Sequence, residues 1–200
     1  MSIIPELIAF FQKFPGIGPR QARRFVYSLV DENPKALEDF SKAILNLSKE
    51  ISRCAECFRI FEGKNQICDI CKNTSRDSSA LLICEKDADF ENLEKNKIFT
   101  GKYHILGGLL SPLKPELQEK LRLKELFHRI EANEKIKEVV VALSATTEGD
   151  MTLRYIEKIL EPISKKRGLK VTRLGRGLST GSELEYSDRD TLKNAFDNRK

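Results

Sequence analysis

The chain has 200 residues, 40 % of them hydrophobic, and a formal net charge of +5. That apolar content suffices for one good core or for a moderate domain with small appendages, and its cations are spread along the chain instead of forming a basic tail, so a polyanion site has to be a local patch. The longest apolar-looking run, Tyr103 to Leu113, falls far short of the roughly 18 residues of a membrane span, and Pro5 and Glu6 ahead of Leu7 are not the basic start of a signal peptide, so a soluble cytoplasmic protein is expected.

In chain order, Leu7, Ile8, Phe11 and Phe14 recur at helical spacing until Pro15-Gly16-Ile17-Gly18-Pro19 interrupts them. A second amphipathic pattern follows at Ala22, Phe25, Val26 and Leu29, with Pro19 suited to the first helical position. This is the pattern of a helix-hairpin-helix. Gly16 and Gly18 let the turn approach a phosphate, and the free N–H groups opening the second helix favour an anion. Arg20, Arg23 and Arg24 lie opposite the Phe25/Leu29 stripe, and sequence-independent DNA binding is the expected consequence. The bland alternative is an ordinary helical turn with a solvated basic face. Residues 34–52 add a helix with Leu37, Phe40, Ile44, Leu47 and Ile51 on one side.

Two Cys-x-x-Cys pairs come next, Cys54/Cys57 and Cys68/Cys71, separated by ten residues. Four thiolates so spaced can close a tetrahedral zinc site that supplies folding energy and leaves no position for substrate. One structural Zn²⁺ per chain is expected, in preference to two disulfides or four free core cysteines, because a reducing compartment does not preserve disulfides. Between the pairs lie Phe58, Ile60, Phe61 and Ile67 with only Arg59 and Lys64 as cations, so the module reads as a strut packed on a neighbour, fixing the angle between the arginine-bearing hairpin and the domain C-terminal to the cysteines.

After a polar stretch, 73–79, strands alternate with helices. Strands are expected at 80–84, 103–106, 138–143 and 170–174, and helices at 87–95, 121–132 and from a turn at 144–149 to about Arg167. This is an α/β domain with a mainly parallel sheet, whose ligands gather at the carboxyl ends of strands, here Glu85, Asp87 and Asp89 and the segment 144–148. Lys158, Lys165, Lys166, Arg167, Lys170, Arg173 and Arg176 form a basic stretch that either lines a DNA channel or is a solvated helix end. Gly175-Arg-Gly177 with Gly181 reads as an interface loop. His104 and His128 stand apart from any nucleophile, and Cys84 reads as a buried small hydrophobe.

Several strings together carry a resemblance: Phe14-Pro-Gly-Ile-Gly-Pro19, the cysteine pairs, Tyr103-His-Ile-Leu-Gly-Gly-Leu-Leu-Ser-Pro112, Thr147-Glu-Gly149, Thr172-Arg-Leu-Gly-Arg-Gly-Leu178 and Gly181-x-Glu-Leu-Glu-Tyr186. The chain resembles the RecR family of bacterial recombination mediators over nearly its whole length. The resemblance implies a Toprim-type α/β domain, a non-catalytic role in recombinational DNA repair, dimers and a ring tetramer able to encircle DNA, and RecO- and RecF-type partners. It also implies a division into a helix-hairpin-helix with its following helix (1–53), a four-cysteine zinc finger (54–72), the Toprim-like domain (80–174) and a C-terminal interface segment (175–200). Catalytic Toprim domains hold Mg²⁺ with a glutamate and a later Asp-x-Asp. Glu85 fills the first position, but the later strand runs on as Ala142-Leu-Ser-Ala-Thr-Thr147 with Glu148 and Asp150 beyond, and Lys86-Asp87-Ala88 departs from the family's usual run. A degenerate Toprim fold used for binding is expected, with Glu85, Asp89 and Glu148 docking a partner. The competing reading is a Mg²⁺-dependent nuclease or primase-like enzyme using Glu85.

Overall fold

The computed structural model describes residues 2–113 and 115–199, so Met1 and Lys200, the outermost residues of the expected divisions, lie outside it. Two compact units result, Met1–Ile51 and Ser52–Lys200.

The first unit holds α1 (Ile3–Phe11), α2 (Pro19–Val30) and α3 (Pro34–Glu50). Ala22 and Val26 of α2 are fully buried, and Phe11 stacks on Phe25 with ring centres 5.5 Å apart, so the expected apolar stripes join the two helices. Asn33 caps α3, its side chain accepting from the N–H of Ala36 at 2.8 Å, and Pro34 occupies the first helical position. α3 buries none of its side chains, and its stripe stays open, with Phe40 47 % and Ile44 50 % exposed.

The second unit begins with a two-stranded ribbon, β1 (Ile51–Arg53) and β2 (Ile60–Glu62), and the one-turn α4 (Asp69–Lys72). Next along the chain are β3 (Asp77–Cys84), α5 (Asp87–Lys95), β4 (Gly101–Ile105), α6 (Leu123–Ala132), β5 (Glu138–Ala142), α7 (Thr147–Arg167), β6 (Lys170–Arg173) and, near the C-terminus, α8 (Arg189–Asp197). The sheet is parallel throughout, in the order β4-β3-β5-β6, and Cys84 pairs with Ala142 at the carboxyl ends of the two central strands. Side chains alternate across it. Leu81, Ile83, Val139 and Val141 face Leu126 and Ile130 of α6 and Leu153, Ile156 and Leu160 of α7. Leu82, Cys84, Tyr103, Ile105 and Ala142 face the other way, onto Phe90 of α5 and onto the cysteine module. The module therefore takes the place of a helix layer on one face of the sheet. Among the described residues, no helix is long and apolar enough to cross a membrane.

Two boundaries differ from the sequence expectation by three residues, and the others, such as the starts of β4 and α6, by at most two. β3 starts at Asp77, three residues before Ala80, because Asp77 turns its carboxylate onto the N–H and hydroxyl of Ser79 and pairs with Gly101 across an irregular register. Polar residues held that way carry no apolar signature. α7 starts at Thr147, inside the expected turn, because Thr146 accepts from the N–H of Gly149 at 3.1 Å and caps the helix. The start is also tightly packed: a Cβ on Gly149 would run into the Ser144 carbonyl. Gly149→Ala is accordingly expected to cost about 1–3 kcal/mol in denaturant unfolding by overpacking against backbone. Unchanged stability would show that this helix start is loose.

Candidate functional site

The four cysteines of the paired motif meet at one point, their sulfurs all within 4.8 Å of one another, with Cys57 and Cys68 at 3.6 Å. A tetrahedral ion with sulfur bonds of about 2.3 Å spaces its ligands about 3.8 Å apart, whereas a disulfide needs about 2 Å, so the set fits a metal ion and not two bridges. The turns are built for it. Phe58 N–H bonds the Cys54 carbonyl at 3.0 Å and Lys72 N–H that of Cys68 at 3.0 Å, while the Cys68 N–H points at the Cys54 sulfur, 3.4 Å away. Hydrogen bonding within the cluster holds Cys68 far below the ordinary thiol range and, with burial, pushes Cys57 and Cys71 well above it. A bound dication reverses that pattern by favouring every thiolate.

Side chains from distant positions weld this cluster to the sheet. Ile105 of β4 donates its N–H to the Cys57 carbonyl at 2.8 Å. Lys102 Nζ donates to the carbonyls of Ile70, Cys71 and Asn73 at 2.9, 3.0 and 2.6 Å. Arg129 of α6 donates to the Tyr103 carbonyl at 2.6 Å and brings its other nitrogen to 4.0 Å from the Cys71 sulfur. Asp87, at the start of α5, accepts from the N–H of Ile60 on β2 at 2.6 Å. Phe58 sits at φ +64°, an unfavourable backbone for a bulky residue, with its ring against His104 and the Arg122 guanidinium. His104 itself is buried and neutral, its pKa pushed down to about 3 by desolvation and by Arg129, and its Nε2–H donates to the Arg122 carbonyl at 3.0 Å. None of these partners carries a local sequence signal.

In the first unit, Phe14-Pro15-Gly16-Ile17 forms a turn in which Ile17 N–H bonds the Phe14 carbonyl at 3.2 Å and Gly16 lies at φ +78°. Pro at the second and Gly at the third position suit a type II turn, and the positive φ is what requires Gly16. Gly18 is the residue preceding α2, and open space surrounds the position its Cβ would take. Arg20, Arg23 and Arg24 are all exposed, three and four residues apart on one face of α2.

Comparison with known proteins adds the deciding observation. Residues 4–47 match the family model "RecR, helix-hairpin-helix", 79–175 "Toprim domain" and 177–200 "RecR, C-terminal". Proteins named Recombination protein RecR are similar over 98 % of this chain: that of Lactobacillus acidophilus is 40 % identical with 96 % of its own length covered, and that of Prochlorococcus marinus strain MIT 9312 is 40 % identical with 94 % covered. The chain belongs to the RecR family.

In this RecR-family member the acidic edge of the Toprim domain is built from fewer free carboxylates than the sequence offers. Glu85 follows β3, and its Oε2 accepts from the Ser144 hydroxyl at 2.6 Å, so a hydroxyl-bearing side chain stands beside Glu85 after the neighbouring strand. Asp89 accepts from the Lys86 N–H at 3.1 Å and caps its own helix. Glu148 lies half-buried in the first turn of α7. Asp150 is clamped by both guanidinium nitrogens of Arg176 at 2.5 and 3.2 Å, which holds its carboxyl below the usual range. The basic stretch is thinned likewise: Arg176 is paired, Lys165 bridges to Glu161 at 2.5 Å, and Arg167 donates to the Ile130 carbonyl. Cys84 is fully buried, its thiol pushed up to about 12 by desolvation.

The cysteine geometry makes a direct prediction. One divalent ion per chain is expected by elemental analysis, released as pH falls because protons compete for the thiolates, and lost together with thermal stability in Cys57→Ala. Full metal content in Cys57→Ala would remove the four-thiolate site.

Proposed function

We propose that this RecR-family chain is a non-catalytic, DNA-binding clamp component of cytoplasmic recombinational repair that acts with RecO- and RecF-type partners to load a recombinase. The observation that carries the reading is the hairpin of the first unit. Exposed Arg20, Arg23 and Arg24 share one face beside a helix start whose first N–H groups have no intrahelical acceptor, and Gly18 leaves room there for a close approach. Such a face grips phosphates without reading bases. The relatives' name, Recombination protein RecR, supports the repair context.

The cysteine cluster takes one structural Zn²⁺ per chain, since four thiolates suit that ion and leave no open coordination position for chemistry. On this reading the functional divisions are 1–53, 54–72, 80–174 and 175–200, with the last an interface segment. Self-association into dimers and a ring tetramer is supported by the uncovered α3 stripe, since a contiguous apolar face on a folded unit calls for a partner surface. Glu85, Asp89 and Glu148 are assigned to partner docking, with Glu85 oriented by Ser144. The engagement of Glu85 with a hydroxyl, and of Asp150 with Arg176, argues against a Mg²⁺ pair and so against the nuclease or primase-like reading.

Arg20→Ala combined with Arg24→Ala is expected to weaken sequence-indifferent DNA binding and to lower the slope of log K against log salt by about 2, one per lost phosphate contact. An unchanged slope would take the hairpin out of the interface. With Mg²⁺ supplied, Glu85→Ala is expected to leave DNA retention intact and to reveal no lost cleavage or synthesis. A Mg²⁺-dependent activity abolished by that substitution would establish the enzyme instead.

A further inference from the structure

α7 carries two apolar stripes where a helix covering a sheet needs one. Leu153, Ile156 and Leu160 meet the sheet, while Met151, Tyr155 and Ile159, four residues apart in turn, lie farther round the helix, Met151 and Ile159 half-buried against the margin of the same core and Tyr155 45 % exposed. Opposite them stand Leu123 and Phe127 of α6. Between the helices runs a trough, about 880 Å³ at the end floored by Leu110, Leu121 and Met151 and about 390 Å³ at the end reaching Phe127 and Pro162. Leu123, Lys124, Tyr155 and Lys158 line both parts, so the two are continuous.

Charge along the trough is polar. The larger end holds Glu119 and Glu125 besides Lys124, Arg154 and Lys158, whereas the smaller end holds Lys124 and Lys158 with His128 and no carboxylate. Among the described residues, none of Lys124, Arg154 and Lys158 has a carboxylate within 4.0 Å. An apolar floor between two helices takes the apolar side of a third helix, and the free cations Lys124 on α6 and Lys158 on α7, which flank the junction of the two parts, select carboxylates there. Glu119 and Glu125 repel a phosphate backbone, so nucleic acid is the poorer occupant.

We propose that the α6/α7 trough is a docking groove for a short amphipathic helix of a partner protein. Its aliphatic or aromatic anchors recur every three to four residues, and its acidic residues lie over Lys124 and Lys158 and toward the smaller end, away from Glu119 and Glu125. This surface is separate from the arginine face of α2 and from the Glu85 strand edge.

The test uses the full chain and fluorescein-labelled synthetic helices with Leu and Phe anchors, read by anisotropy. One peptide carries Asp and Glu at one end, a second carries Lys in their place, and a third replaces the anchors with Ala. The acidic peptide is expected to bind saturably and to lose about tenfold in affinity with Lys158→Glu and with Lys124→Glu, both exposed positions whose exchange leaves the core untouched. The other two peptides are expected not to bind. Equal binding of the lysine peptide, no saturation by about 1 mM, or affinity unchanged in both variants overturns the proposal. Displacement of the acidic peptide by oligo(dT) would assign the trough to nucleic acid, and a smaller solution mass of Lys158→Glu would assign it to a second copy. Either overturns it too.

Discussion

Four sulfurs within 4.8 Å of one another do not persist together as thiolates in a half-dry pocket unless a cation balances them. That constraint organises the second unit. The segment from Ile51 to Lys72 has a minimal ribbon, a single helical turn and one residue, Phe58, in an unfavourable backbone conformation. Its apolar side chains pack on the sheet from outside, and a bound ion would close it from inside. Once closed, it presents Phe61, Ile70 and the cysteines themselves to Leu82, Cys84, Tyr103 and Ile105, completing a core that α5 alone covers only in part.

What could be read from the sequence were features encoded locally. The cysteine pairs, the Pro-Gly-Ile-Gly-Pro string and the apolar strand cores each place their chemistry within a few residues, and the fold class followed from them. The welds did not follow. Asp87 reaches Ile60, Lys102 reaches Cys71, Arg129 reaches Tyr103, and Ser144 reaches Glu85, across separations of 27, 31, 26 and 59 residues. No period or motif announces such pairs. Arg176 counted as one more cation in a basic stretch, yet it is Asp150 that it serves. The apolar stripe of α3 was legible as a stripe, but periodicity cannot say whether a stripe lies in a core or on a surface.

Functionally, the two units divide the chemistry. Cationic reach belongs to α2, where guanidinium groups are exposed and no acid competes for them among the described residues. The Toprim domain carries a glutamate, Glu85, after its first strand but commits Glu85, Asp89 and Asp150 to a hydroxyl, a helix cap and an arginine. Three of the carboxylates at this sheet edge, Glu85, Asp89 and Asp150, are thereby held by neighbouring groups of the domain itself.

The hydrogen bonds from Ile105 to Cys57 and from Lys102 to Cys71 make the cysteine cluster and the Toprim sheet one cooperative structure, distinct from the helical hairpin of the first unit. Hydrogen exchange of the intact protein before and after chelation tests it most directly. Stripping the ion is expected to remove protection from 54–72 and also from β4, beginning at Ile105, whose N–H is bound to Cys57, while α1 and α2 keep theirs. Loss confined to 54–72, with β4 still protected, would contradict it.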